Sequence, residues 1–239
     1  MRSRHDVKLR LDVECQRIAT EAIQRRFPGH VIVGEEDPPE LAATARPGAV
    51  RWIIDPIDGT VNFSHGLPMW CCSIAAMAGE EVVAGAVYAP MWQELFTATR
   101  GGGAFRNGQR IAVSTVGRTT ESIVLTGLDK NADPRRPPLE IFRAISQSVQ
   151  RARIMGCAAL DICRVACGQA EGYFERGIYL WDIAAAGLIC REAGGRAEIL
   201  ARLDGRRLEF LATNGLIHAA LRRCIREAEA GVARKNVAL

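Results

Sequence analysis

Residues 52–63 read Trp-Ile-Ile-Asp-Pro-Ile-Asp-Gly-Thr-Val-Asn-Phe, and this stretch decides the reading of the chain. The apolar run Trp52-Ile53-Ile54 predicts a strand over 50–54 that stops at two carboxylates, Asp55 and Asp58. A proline lies between them; a glycine and a hydroxyl follow. Hard divalent cations take oxygen ligands, and Mg²⁺ is commonly held by one or two carboxylates with phosphate and water. A strand that stops at Asp-Pro-x-Asp-Gly-Thr supplies two carboxylates, a carbonyl and amide N–H groups within one turn. Asp, Pro and Gly are also ordinary turn residues. On their own, the same letters read equally well as a plain loop.

The 239 residues suffice for one large domain or two small ones in close contact. With 48% hydrophobic and 24% charged residues, the chain can bury a sizeable core. The net charge of +4 is carried by scattered arginines. The pairs Arg25-Arg26 and Arg222-Arg223 fall in helical segments and read as solvated faces, so nucleic-acid binding is not indicated. The eight cysteines (Cys15, Cys71, Cys72, Cys157, Cys163, Cys167, Cys190 and Cys224) form no Cys-x-x-Cys pair, which argues against structural zinc. The charged start Met1-Arg2-Ser3-Arg4-His5 carries no visible signal peptide, so the thiols read as buried and free in a reducing cytoplasm. No apolar run is long enough to span a membrane.

Apolar residues at threes and fours (Leu9, Leu11, Val13, Ile18, Ala22, Ile23, Phe27) predict a helix over 8–27, stopped by Pro28-Gly29. Val31-Ile32-Val33 predicts a short strand ending at Gly34-Glu35-Glu36, and the Pro- and Ala-rich residues 38–49 a loop. Residues 71–78 and 82–88 flank Gly79-Glu80-Glu81 as a hairpin. Residues 94–99 predict another strand. Gly101-Gly102-Gly103 looks like a phosphate loop but lacks a following Lys-Ser/Thr and helix, so it reads as a turn. From about residue 115 strands alternate with helices, with a Pro-rich loop over 129–138 and helices over 139–150, 158–168, 182–193 and 215–230.

Three acidic groups stand out: Glu35-Glu36, Asp55 with Asp58, and Asp182 at an expected helix N-cap in Trp181-Asp182-Ile183-Ala184-Ala185-Ala186-Gly187. Each has an ordinary structural explanation. Taken together, Gly34-Glu35-Glu36, the stretch 52–63, and 181–187 followed by Glu192-Ala193-Gly194-Gly195 resemble the inositol monophosphatase family of metal-dependent, lithium-sensitive sugar phosphatases. Gly101-Gly102-Gly103-Ala104-Phe105-Arg106-Asn107-Gly108 is similar to a turn of that family. The likeness runs from about residue 6 to the C-terminus.

The resemblance implies a layered α-β-α-β-α sandwich of the inositol monophosphatase/fructose-1,6-bisphosphatase type, without the usual first helix. It implies an N-terminal α+β half over 1–115, with an antiparallel sheet and most metal ligands, and a C-terminal α/β half over 116–239, in one compact unit. It further implies two or three Mg²⁺ ions. Asp55 would bridge two of them, Glu35 and the Ile57 carbonyl would complete one site, and Asp58 and Asp182 the other. Glu35 and Thr60 would orient and deprotonate the attacking water, and Gly59 and Thr60 N–H groups would hold phosphate. Glu175 matches the position that contacts inositol hydroxyls, and Gly156-Cys157-Ala158 a loop over the substrate ring that usually reads Gly-Thr-Ala. Cys157 is not read as a nucleophile, because no histidine is placed beside it.

The family's Lys-x-x-x-x-Asp-x-Val-Thr pattern is only partly kept here, around Asp6-Val7-Lys8 and Asp12. The chain begins where the family's first helix has ended. That reads either as an exposed apolar face favouring a homodimer or as a misassigned start codon. The expected activity is hydrolysis of inositol 1-phosphate or a similar sugar phosphate. The alternatives are fructose 1,6-bisphosphate, 3′-phosphoadenosine 5′-phosphate or histidinol phosphate as substrate, and a non-catalytic role in the transcription machinery.

Overall fold

The computed structural model describes residues 10–37, 50–129, 138–204 and 206–237. The expected loop over 38–49, most of that over 129–138, and Lys8 lie outside the described residues. Helix α1 (Arg10–Arg26) leads into β1 (Val31–Gly34) and β2 (Val50–Asp58). A short helix α2 (Thr60–Ser64) follows, then β3 (Cys71–Ala78), β4 (Glu81–Ala89), β5 (Glu94–Thr99), β6 (Gly103–Arg106) and β7 (Gln109–Arg110). These seven strands form one sheet in sequence order; β1 and β2 are parallel and the remaining pairs antiparallel.

The second half runs β8 (Ile123–Thr126), α3 (Pro138–Ser148), β9 (Arg151–Arg153), α4 (Ala158–Ala166), β10 (Gly172–Ile178), α5 (Leu180–Glu192), β11 (Arg196–Asp204), β12 (Arg207–Thr213) and α6 (His218–Val237). Its five strands order as β11-β12-β10-β8-β9, with β8, β9 and β10 parallel and β12 antiparallel to its two neighbours. Helices α4 and α5 lie between the sheets, and α5 touches strands of both. Helices α3 and α6 pack together over the outer face of the second sheet, through Ile141, Ile145, Leu221 and Ile225 against Val124, Phe174 and Leu211. With α1 against β2, the order of layers is α-β-α-β-α.

Two expectations need correction. Strand β2 does not stop at Ile54 but carries both aspartates. The apolar residues of α1 do not all point inward: Leu11, Val13 and Ile18 are exposed, and the buried residues are Asp12, Gln16 and Ile23. The polar face is buried because it works on the chain after β1. Gln16 donates to Asp37 (2.8 Å) and accepts from the Glu36 N–H (3.1 Å). A Cβ on Gly34 would sit 2.1 Å from the Gln16 amide, so glycine leaves the room this contact needs.

A helix pressed between two sheets must be apolar all round and thin where it is closest. In α5 the run Ala184-Ala185-Ala186-Gly187 meets both conditions, and all four residues are buried. Opposite it on β4 is Gly85, where a Cβ would lie 2.9 Å from Ala185 Cα and 3.0 Å from its carbonyl oxygen. Backbone cannot yield there, so overpacking applies. Gly85→Val is expected to lower stability by about 1–3 kcal/mol, read as an earlier urea midpoint at unchanged m-value.

Candidate functional site

Side chains three apart in a regular strand point to opposite faces. Asp55 and Asp58 nevertheless share a side, because β2 is bulged between them. Asp55 pairs with Ser73 and Asp58 with Cys71, so three steps on β2 match two on β3. Pro56 sits in the bulge, where its missing N–H costs no ladder bond. Parallel pairing of Gly34 with Ile54, and the Glu35 N–H bond to the Ile54 carbonyl (3.0 Å), set Glu35 level with Asp55.

From the other half, α5 contributes Asp182. It is the third residue of that helix and not its N-cap: the cap is Tyr179, whose N–H donates to Asp182 Oδ2 (2.8 Å). One oxygen from each of Asp55, Asp58 and Asp182 lies within 4.8 Å of the others. Glu35 joins through a hydrogen bond with Asp55.

Burial, then mutual repulsion, holds these carboxyls protonated at unusually high pH. Glu35 is pushed from 4.5 to about 7, chiefly by burial and then by Glu36, Asp58 and Asp12. Asp55 and Asp182 are driven well above the usual carboxylate range by burial and by their acidic neighbours. Asp58 rises to about 6 through burial, moderated by the N–H groups of Ala159 and Ala158 and the Cys157 thiol. Among the described residues no arginine or lysine pairs with these four, whereas buried Arg176 is paired with Glu209 at 2.7 Å. Asp55 Oδ1 is buried and finds no hydrogen-bond donor among the described residues. An acidic, oxygen-only cluster with an undonated oxygen fits hard divalent cations.

Asp58 also joins the two halves. Its Oδ2 accepts from the Ala159 N–H (2.6 Å) at the start of α4, and the Cys157 thiol lies 3.3 Å from the same oxygen. The Thr60 hydroxyl donates to the Ile57 carbonyl (3.0 Å). Gly59, at φ +88°, opens α2 and is closely packed; a Cβ there would meet the Met69 carbonyl at 2.9 Å and Cys157 Cβ at 3.2 Å. The Asn62 amide, on the next turn, donates to the carbonyls of Met69 (2.8 Å), Met155 (2.8 Å) and Gly156 (3.3 Å), fastening the 156–158 loop to α2.

Glu175 lies on β10, partly buried, with the Tyr173 hydroxyl donating to Oε2 at 2.5 Å. Burial pushes it to about 7; the tyrosine bond lowers it, and Asp58 and Asp129 raise it. Gly127 makes its space, since a Cβ there would stand 2.1 Å from the carboxyl. Cys157 is buried as the N-cap of α4, with its thiol turned to Asp58 and to Cys71 rather than over an open ring site.

The sequence reading missed three participants. Cys71 is one: cross-strand pairing with Asp58 would have pointed to it only if the bulge were known. Asp161 is another, a buried carboxyl on α4 that Asp58 and Glu175 both act upon; a lone acid in the apolar run 158–166 was the available signal. The third is Glu192. Its two oxygens accept from the N–H groups of Gly101 (2.8 Å) and Gly103 (2.9 Å), so the glycine turn holds the chain's own carboxylate.

The profile of the "Inositol monophosphatase family" matches residues 2–236. A relative from Dictyostelium discoideum named inositol monophosphatase is 42% identical over 178 residues, 73% of this chain and 65% of that protein. The chain thus spans less than two thirds of that relative's length. A Nus factor SuhB of Pasteurella multocida is 38% identical, over 82% of this chain and 72% of that one. The structure of an IMPase from Thermotoga maritima superposes with a TM-score of 0.83 at 34% identity, over 97% of this chain and 87% of that one. With the family profile over nearly the whole chain and these relatives in agreement, the chain belongs to the inositol monophosphatase family.

Proposed function

We propose that this chain is a Mg²⁺-dependent phosphomonoesterase acting in the cytoplasm on inositol 1-phosphate or a similar sugar phosphate. The observation that carries the reading is four clustered carboxyls, Asp55 and Asp58 buried and Glu35 and Asp182 partly buried, without a cationic partner among the described residues, one of them with an undonated oxygen, beside the turn at Gly59-Thr60. Glu35, Asp55, Asp58, Asp182 and the Ile57 carbonyl would hold two or three Mg²⁺ ions, with Asp55 shared. When bound, such ions neutralise phosphate charge and acidify the attacking water.

The chain's own groups do the rest. The Thr60 hydroxyl proton is committed to the Ile57 carbonyl, so Thr60 Oγ1 accepts from the attacking water and orients it. Glu35, set level with Asp55, would receive the proton that water loses. The Gly59 and Thr60 N–H groups hold phosphate oxygens. Glu175, with one oxygen engaged by Tyr173, has the other for a substrate hydroxyl. Gly156, Cys157 and Ala158 border the polyol with backbone, since the Cys157 thiol faces Asp58. A homodimer belongs to the same reading and is checked by light scattering. Similarity to a Nus factor SuhB favours a second reading, a binding role in transcription.

Phosphate release with Mg²⁺ is measured for inositol 1-phosphate, fructose 1,6-bisphosphate, 3′-phosphoadenosine 5′-phosphate and histidinol phosphate, each with an EDTA control. Inositol 1-phosphate is expected to be fastest and EDTA to abolish turnover. No release from any substrate favours the binding role. Asp55→Asn is expected to lose more than about 100-fold in rate, the ceiling for a group standing behind the ligands. A cellular phenotype untouched by that change also favours the binding role.

Glu175→Gln is expected to raise KM for inositol 1-phosphate about tenfold, the worth of one charge-assisted hydrogen bond. The rate on p-nitrophenyl phosphate, which has no polyol, stays as it was.

The raised carboxyls predict a pH signature. In the folded, metal-free protein Glu35 and Asp58 keep protons that the unfolded chain has lost. The native state therefore binds more protons between the ordinary carboxylate values and the folded values of about 7 and about 6, and stability falls as pH rises through that window. In EDTA, Tm should drop between about pH 5 and about pH 7.5, and the rise in Tm on adding Mg²⁺ should be larger at the higher pH. Equal rises at both would contradict the assignment.

A further inference from the structure

Beside Asp58 lie two buried thiols that the proposed reaction does not use. Cys71 is fully buried on β3, and Cys157 is 2% exposed at the start of α4. Their sulfurs are 3.6 Å apart, and they stand 3.9 Å and 3.3 Å from Asp58 Oδ2. A tetrahedral zinc with metal–sulfur bonds of about 2.3 Å and a metal–oxygen bond of about 2.1 Å separates its ligand atoms by about 3.8 Å (S to S) and about 3.6 Å (S to O). The two S-to-O distances in this protein bracket their edge, and the S-to-S distance falls just short of its own, before any ion arrives. We propose that Asp58, Cys71 and Cys157 form a soft-metal site, distinct in ligand chemistry from the oxygen-only cluster, that takes Zn²⁺ or Cd²⁺.

The donor set explains the preference. Thiolates select soft and borderline ions, and a carboxylate alone among them does not hold Mg²⁺. Binding forms two metal–sulfur bonds and one metal–oxygen bond; the two thiol protons leave to solvent, and nothing is oxidised or reduced. The Ala159 N–H, 2.6 Å from Asp58 Oδ2, stays on that oxygen and orients it as an outer partner. A water would complete the four ligands of a tetrahedral ion. A cavity of about 210 Å³, lined by Met69, Trp92, Met155, Cys157, Asp161 and Arg164, adjoins Cys157. Because Asp58 is shared, occupancy by zinc withdraws a ligand from the oxygen cluster and inhibits turnover. That consequence rests on the phosphatase reading; the binding itself does not.

The test uses the full chain with Cys15→Ser and Cys72→Ser, which removes two partly accessible thiols. The protein is reduced with a phosphine, stripped with EDTA and titrated with Cd²⁺ while thiolate-to-metal charge-transfer absorption and proton release are followed. A rise saturating at one ion per chain, with two protons released, is expected. Adding Cys71→Ala should weaken binding at least tenfold and remove most of the absorption, and Cys157→Ser should do the same. Cys190→Ala, in a buried thiol elsewhere, should change neither. Circular dichroism of the metal-free variants identifies any that fail to fold, and the remaining one then decides. Absorption that is absent, or unchanged by both substitutions, overturns the site. In the Mg²⁺ assay, Zn²⁺ should inhibit the parent far more strongly than the Cys71→Ala variant. A protein with no turnover at all would fail that assay and still give the cadmium signal.

Discussion

A single extra residue in β2 sets the geometry on which everything near the site depends. Without the bulge at Pro56-Ile57, the alternation of a strand would put Asp55 and Asp58 on opposite faces of the sheet. With it, both turn towards the helices between the sheets, and Asp58 reaches the first turn of α4. The proline suits a place where no ladder bond is asked of it. The freed Ile57 carbonyl then serves Thr60. Register on one side and capping on the other bring in Glu35 and Asp182, from elements that are remote in the chain.

Such a cluster is costly to assemble. Carboxyls buried together either hold protons or require cations, and the raised proton affinities of Glu35, Asp55, Asp58 and Asp182 express that cost. The fold tolerates it because the rest of the interior is conventional. Small residues of α5 lock between two sheets, and α3 with α6 seals the second sheet with branched aliphatic side chains. Elsewhere buried Arg176 is neutralised by Glu209 and Glu229, whereas the four carboxyls of the site have no cationic partner among the described residues.

Much of this could be read from the chain. The strands over 71–78 and 82–88, the hairpin turn at Gly79 between them, and the strand–helix succession after residue 115 all appear with small shifts at their ends. The acidic residues were visible as types, and the family likeness tied them together. Three things were not legible, each for a physical reason. A bulge has no letter of its own, so β2 seemed to end early. The inward face of α1 is polar because it supports a loop, which periodicity of apolar residues cannot reveal. The partnership of Asp58 with Cys71 and Cys157 depends on two elements meeting across the layers, and no spacing in the sequence encodes it.

The carboxylate of Glu192, gripped by the glycine turn before β6, ends the helix whose first turn carries Asp182. Ten helical steps separate the two acids, a rigid rod of about 15 Å. One end is riveted to a surface hairpin and the other enters the candidate metal cluster. One helix thus fixes the separation between the turn at residues 101–103 and the cluster that Asp182 enters.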